Sequence, residues 1–193
     1  LIEAEDGTKG TIQVPNQTGG TNWTGATVDP ETGVLFVPSY TSPSLRALTN
    51  DPFVSDMDFI DAGRIRGPRG LPIVRPPWGR ITAIDLNRGD FAWQVPHGDG
   101  PRDHPLLQGL NLGRLGSSYM TGLAGVGTLV TKTLLFANQD APAGQGGRET
   151  GFLRAFDKAT GELVWETAVD SAPVTPPMTY VRNGKQYVLF ATG

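Results

Sequence analysis

Two histidines, His97 and His104, share one stretch with Asp99 and Asp103, and imidazole plus carboxylate is a side-chain set that binds divalent metals. No pairing among the four matches a known ligand spacing, so the stretch is expected to be a solvent-exposed loop without a metal. A second candidate is GGTNWTG at Gly19–Gly25. An Asn amide can donate to carbonyl or carboxylate oxygens, and glycines allow close backbone approach. The plainer alternative makes Asn22 a turn cap and Trp23 a filler between packed elements. Arg64, Arg66, Arg69, Arg75 and Arg80 form a basic run, which fits a solvated loop or a contact with another part of the fold better than it fits an anion or partner site. The glycines at 122, 125 and 127 lack the surrounding βαβ unit of a dinucleotide fingerprint. Those at 144–147 lack the Lys-Ser/Thr ending of a phosphate loop. Asn16-Gln-Thr and Asn22-Trp-Thr are spelled like glycosylation acceptors, a spelling that chance often produces.

Many short strands and turns must position these residues. The 193 residues include 26 Gly and 16 Pro, punctuation that suits strands better than helices. The charged fraction of 18% is below the ~25% of typical domains, and a net charge of −3 points to neither nucleic acid nor an anionic membrane. Without cysteine there is no disulfide and no thiolate metal site. No apolar run approaches the ~20 residues of a membrane span. The start, LIEAEDGTKG, has neither the charged region nor the apolar core of a signal peptide, and both ends read as cut from a longer polypeptide.

Strand candidates at 26–28, 34–37, 80–86 and 91–95 make one four-stranded unit, and those at 126–130, 133–137, 152–156 and 163–167 make a second. A half unit covers 174–191, hinged on Asn183-Gly184, the strongest short hairpin signal. A short strand is also expected at Thr11–Val14. Residues 38–78 and 96–125 are long insertions, and Asp51–Asp61 has no sustained helical period.

The pattern A-[IF]-D-x-x-x-G-x-x-x-W occurs at Ala83–Trp93 and again at Ala155–Trp165, with a partial copy at Asp29–Val37. In each copy Asp opens a turn and Gly accepts positive φ near its end. A Trp recurring once per unit packs units together, so Trp93 and Trp165 are structural and no sugar platform. Asp29, Asp85 and Asp157 are turn formers and no catalytic bases. The fold expected is all-β: a partial β-propeller of about two and a half four-stranded antiparallel blades. Its single domain spans 1–193, with blade 26–95 holding the inserted loop 38–78, blade 126–167, and half blade 174–191. Two and a half blades leave open edges, so a chain of 1–193 alone is expected to be unstable or to aggregate.

Ala155–Trp165 resembles the tryptophan-docking motif of the eight-bladed quinoprotein dehydrogenases. GGTNW at Gly19–Trp23 with VDPETGVLFVP at Val28–Pro38 resembles their loop and strand beside the cofactor. LPIVRPPWGRITAIDL at Leu71–Leu86 and TPPMTYVRNGKQYVLFATG at Thr175–Gly193 are similar to the membrane-type glucose/quinate branch, which uses pyrroloquinoline quinone (PQQ).

That resemblance implies the C-terminal portion of a dehydrogenase that oxidises sugars, polyols or other alcohols by hydride transfer to PQQ. Electrons would pass to ubiquinone or a cytochrome, with no nucleic acid involved. It maps PQQ contact onto Asn22 and Trp23, and places Gly122, Gly125 and Gly127, with Tyr119 as the bulky neighbour, over one face of the cofactor. The catalytic base and the Ca²⁺ ligands would lie outside this chain, so none of its residues is assigned to catalysis or metal binding. The remaining N-terminal blades would be its partners, the periplasm its location, and any inner-membrane tether would lie in another segment. The competing class is a non-catalytic propeller scaffold that binds other proteins in the bacterial envelope.

Overall fold

The computed structural model describes residues 10–17, 19–21, 25–58, 60–61, 65, 67–101, 104–116, 127–140, 151–171 and 173–192. In chain order the strands are β1 (Thr11–Gln13), β2 (Thr27–Asp29), β3 (Val34–Tyr40), β4 (Ser44–Arg46), β5 (Leu48–Thr49), β6 (Ile60–Asp61) and β7 (Gly79–Asp85). They continue with β8 (Asp90–Pro96), β9 (Thr128–Val130), β10 (Leu134–Asp140), β11 (Gly151–Asp157), β12 (Leu163–Val169), β13 (Met178–Arg182) and β14 (Lys185–Leu189). A 3-10 turn at Pro68–Gly70 is the helical element among the described residues.

The chain divides into two compact units, 1–20 with 41–75, and 21–40 with 76–193. In the first, β1 pairs with β4 and β5 with β6, both antiparallel. The Asn16 amide donates to the Ser42 carbonyl (2.9 Å), and Asp51 closes a turn by accepting from the Phe53 amide (3.1 Å). The stretch 38–78, expected to be irregular, thus contains short paired strands.

The second unit holds two four-stranded meanders, β2-β3-β7-β8 and β9-β10-β11-β12, and the hairpin β13-β14. In an antiparallel meander, successive connections fall at alternate ends. All the tight turns (30–33, 86–89, 131–133, 158–162) therefore lie at one end of the sheets. The strand ends that open onto the long connections, and the start of β2, lie at the other. The turn end follows its expected chemistry. Asp85 Oδ1 accepts from the Asn87 amide and Asp157 Oδ1 from the Ala159 amide, both at 2.9 Å, while Gly89 and Gly161 take φ of 71° and 75°. Both sheets also shift register at the matching point, between Ala83 and Ile84 and between Ala155 and Phe156. Asp29–Gly33 has the same turn chemistry but joins the first two strands of its sheet, where the other two turns join the third and fourth. That partial copy is a local turn of the same kind, in a different place in the sheet.

The sheets pack through Phe36, Ile81 and Ala83 of the first against Leu135, Ala137 and Phe156 of the second, all buried. Full burial of a Phe, Leu or Ile is worth about 1.5–3 kcal/mol against about 1 for a hydrogen bond, so this patch dominates the joint. Trp93 completes it. A Cβ on Gly161 would come within 2.7 Å of the Trp93 ring, and the indole N–H donates to the Lys158 carbonyl (3.1 Å). Trp165 occupies the matching register opposite Ala155 yet is 49% exposed. In the hairpin, Asn183 and Gly184 take φ of 51° and 73°, the left-handed pair a type I′ turn requires, and Tyr180 stacks on Tyr187.

Candidate functional site

Asn22 and Trp23 lie outside the described residues, as do Tyr119, Gly122 and Gly125. What precedes and follows Asn22 is defined. The Thr21 hydroxyl donates to the Pro38 carbonyl near the end of β3 (3.1 Å). Beyond it, the Thr27 hydroxyl opens β2 with bonds to the Thr128 hydroxyl (2.7 Å) and carbonyl (3.0 Å) at the start of β9. The leading strands of the two sheets therefore begin side by side.

Beside these strand starts sits Asn138, fully buried on β10. Its Oδ1 accepts from the Gly127 amide (2.7 Å) and its Nδ2 donates to the Thr175 carbonyl (2.6 Å). Its own carbonyl accepts from His97 Nε2 (3.2 Å). His97, expected in a solvent-exposed loop, is instead buried at 2% exposure. The connection after β8 folds back on the sheet and carries it inward: the His97 amide donates to the Gly79 carbonyl (3.0 Å) and the Trp78 amide to the Leu115 carbonyl (2.8 Å). Gly116 lies so close to Gly79 that a Cβ there would overlap its backbone, which leaves glycine as the residue that fits. The imidazole packs 5.9 Å from the Phe156 ring, and Nδ1 has no hydrogen-bond partner. Burial, reinforced by the Arg154 charge, lowers its pKa to about 3, so the ring is neutral at physiological pH. His104 is engaged separately, its Nδ1 accepting from the Leu106 amide.

Asp99 belongs to a closed ring of ion pairs. Arg114 contacts Asp99 (2.9 Å) and Glu166 (3.1 Å), and Arg154 contacts Asp99 (2.8 Å) and Glu166 (3.1 Å). The Arg154 side chain is 1% exposed, bonds Gln139 and lies over the Phe152 ring. Burial alone would raise the Glu166 pKa, but the bond from Arg154 and the two guanidinium charges outweigh it and hold the carboxyl below its usual range. So paired, Glu166 is a poor proton acceptor; the ring fastens the β8–β9 connection to β11 and β12. Asp29 is also committed: Lys158 Nζ at 2.6 Å and the Thr32 hydroxyl hold its pKa low. Among the described residues, no three His, Asp or Glu side chains group as a metal site.

The ring and the Asn138–His97 pair escaped sequence reasoning. One signal was available. In Phe152–Phe156 the alternation puts Arg154 on the same face as two phenylalanines, where a charge needs buried partners.

The chain matches known proteins along nearly its whole length. The family "PQQ: Glucose/ethanol/alcohol dehydrogenase, beta-propeller domain" matches residues 4–188. A probable quinate dehydrogenase (quinone) of Xanthomonas campestris pv. juglandis is 29% identical over 97% of this chain and 25% of its own length. The quinoprotein glucose dehydrogenase of Escherichia coli (strain K12) is 26% identical over 96% of this chain and 25% of its own. Among solved structures, a quinohemoprotein alcohol dehydrogenase from Pseudomonas putida HK5 superposes with a TM-score of 0.62 at 22% identity, covering 99% of this chain and 25% of that one. The chain spans about a quarter of the length of the relatives it matches. It is a partial β-propeller, and it belongs to the PQQ-dependent glucose/ethanol/alcohol dehydrogenase propeller family.

Proposed function

We propose that the chain is part of a PQQ-dependent dehydrogenase that oxidises sugars, polyols or other alcohols and passes the electrons to a quinone or cytochrome in the periplasm. The observation that carries the reading is the family match over residues 4–188, on a chain whose two four-stranded sheets begin side by side at Thr27 and Thr128. PQQ, when bound, supplies an electron-poor quinone that accepts hydride. Asn22, one residue after the anchored Thr21, would donate its amide to a cofactor oxygen, and Trp23 would pack against the ring. The Ca²⁺ ligands and the catalytic base would come from other segments, together with the remaining blades.

The full-length protein should bind PQQ in the presence of Ca²⁺ and reduce a dye with glucose, quinate or glycerol. Failure both to bind PQQ and to oxidise any of them would overturn this reading in favour of a non-catalytic scaffold. Asn22→Ala should weaken PQQ binding by about tenfold, the scale of one buried charge-assisted hydrogen bond.

A further inference from the structure

We infer that Asn138 is a positioning residue for the cofactor-facing connections, an inference that rests on the function proposed above. One buried side chain and its own carbonyl bind three chain segments. His97 is the first residue after β8, Gly127 the last before β9, and Thr175 lies in the connection after β12. Both ends of the β8–β9 connection and part of the β12–β13 connection are therefore held at a single point.

The amide is used in full by type, oxygen as acceptor and nitrogen as donor, in a site closed to water. An apolar side chain would leave the Gly127 N–H and the Thr175 carbonyl without these bonds, and an acid would face the Thr175 carbonyl with oxygen in place of N–H. Sheet formation gives no reason for an amide here. The neighbouring positions on β10, Leu135 and Ala137, are buried apolar residues that pack the opposite face. What an amide adds is a fixed separation between two connections, at the end where the leading strands start.

The test combines amide hydrogen exchange with PQQ titration of the full-length apoprotein. Asn138→Ala should accelerate exchange at Gly127 at least tenfold, and should raise the PQQ Kd at least tenfold. Asn138→Asp keeps the acceptor for the Gly127 N–H and loses the donor to Thr175, so it should open 173–177 while Gly127 stays protected. Leu135→Ala, on the same strand but the other face, should lower Tm at least as much as Asn138→Ala yet leave the PQQ Kd within about threefold. Unchanged exchange at Gly127 in Asn138→Ala, or a PQQ affinity that simply tracks Tm in both alanine variants, overturns the inference. If the wild-type apoprotein takes up no PQQ, the functional reading falls before any variant is made, and with it the cofactor role of Asn138. The exchange result then still decides whether Asn138 holds the three segments.

Discussion

The two ends of the joint between the sheets are built on different chemistry. At the turn end, Trp93 lies on Gly161 and Phe36, Ile81 and Phe156 fill the gap, with one ion pair, Asp29–Lys158, at the margin. At the connection end the same joint holds Arg154, Asp99, Glu166, Arg114 and His97, whose ring bonds the Asn138 carbonyl. The first end is assembled from residues that repeat in both sheets and serves closure of the fold. The second is assembled from residues that occur once and serves the course of the connections. Repetition marks what any blade needs; departure from it marks what this chain does with the blade.

The largest effects should come from breaking each end separately. Trp93→Ala should cost about 3 kcal/mol in urea unfolding, the low end of the range for truncating a buried aromatic, because the ring is half-buried. Arg154→Ala should cost about 2–4 kcal/mol, because Asp99 and Glu166 would be left to share Arg114. That figure is reduced because Glu166 is 41% and Asp99 34% exposed to solvent. Salt separates the two. At about 1 M the Debye length falls to about 3 Å, so the Arg154→Ala penalty should shrink while that of Trp93→Ala holds. Equal salt responses would break the comparison.

Acid should loosen the connection end first. Unfolded His97 takes up a proton below pH 6.5, whereas the folded residue resists protonation until about pH 3. The unfolded state therefore binds more protons across that window, and stability is lost as the pH falls through it, by up to about 1.4 kcal/mol per unit. His97→Gln keeps a donor for the Asn138 carbonyl and does not titrate, so its acid unfolding curve should be flatter between pH 6 and 4. Parallel curves for the two proteins would remove His97 as the cause.

The same contrast explains what was legible in the sequence. Turns and strands are local: Asp-x-x-x-Gly, alternation and Asn183-Gly184 each specify a few neighbouring residues, and the sheets follow from them. The joint at the turn end was legible because its Trp repeats. His97 was misplaced because its burial depends on the β8–β9 connection folding back, through close approach of Gly116 to Gly79, which no local pattern encodes. The partners of Arg154 lie on three other segments, so a lone Arg between two Phe announces a need without naming what meets it. The third Asp-to-Gly copy shows the reverse failure, a local signal read for more than its place in the sheet.

The smallest effects test whether identical turns differ once they meet a neighbour. Asp29 and Asp85 make the same bond to the amide two residues on, but only Asp29 also holds Lys158. Asparagine keeps the turn-closing oxygen in both, so Asp85→Asn should cost a few tenths of a kcal/mol, and Asp29→Asn on the order of 1.5 kcal/mol. Their pH behaviour should part as well. The folded pKa of Asp29 lies below the ordinary carboxyl value of 3.8, so its contribution is complete above that pH and is lost as the pH falls through the depressed value. Between pH 6 and 4, where His97 is already weakening the connection end, the gap between wild type and Asp29→Asn should stay constant. It should close only at lower pH, and a gap that closed earlier would mean that Asp29 and Lys158 are solvated and do not bind the two sheets.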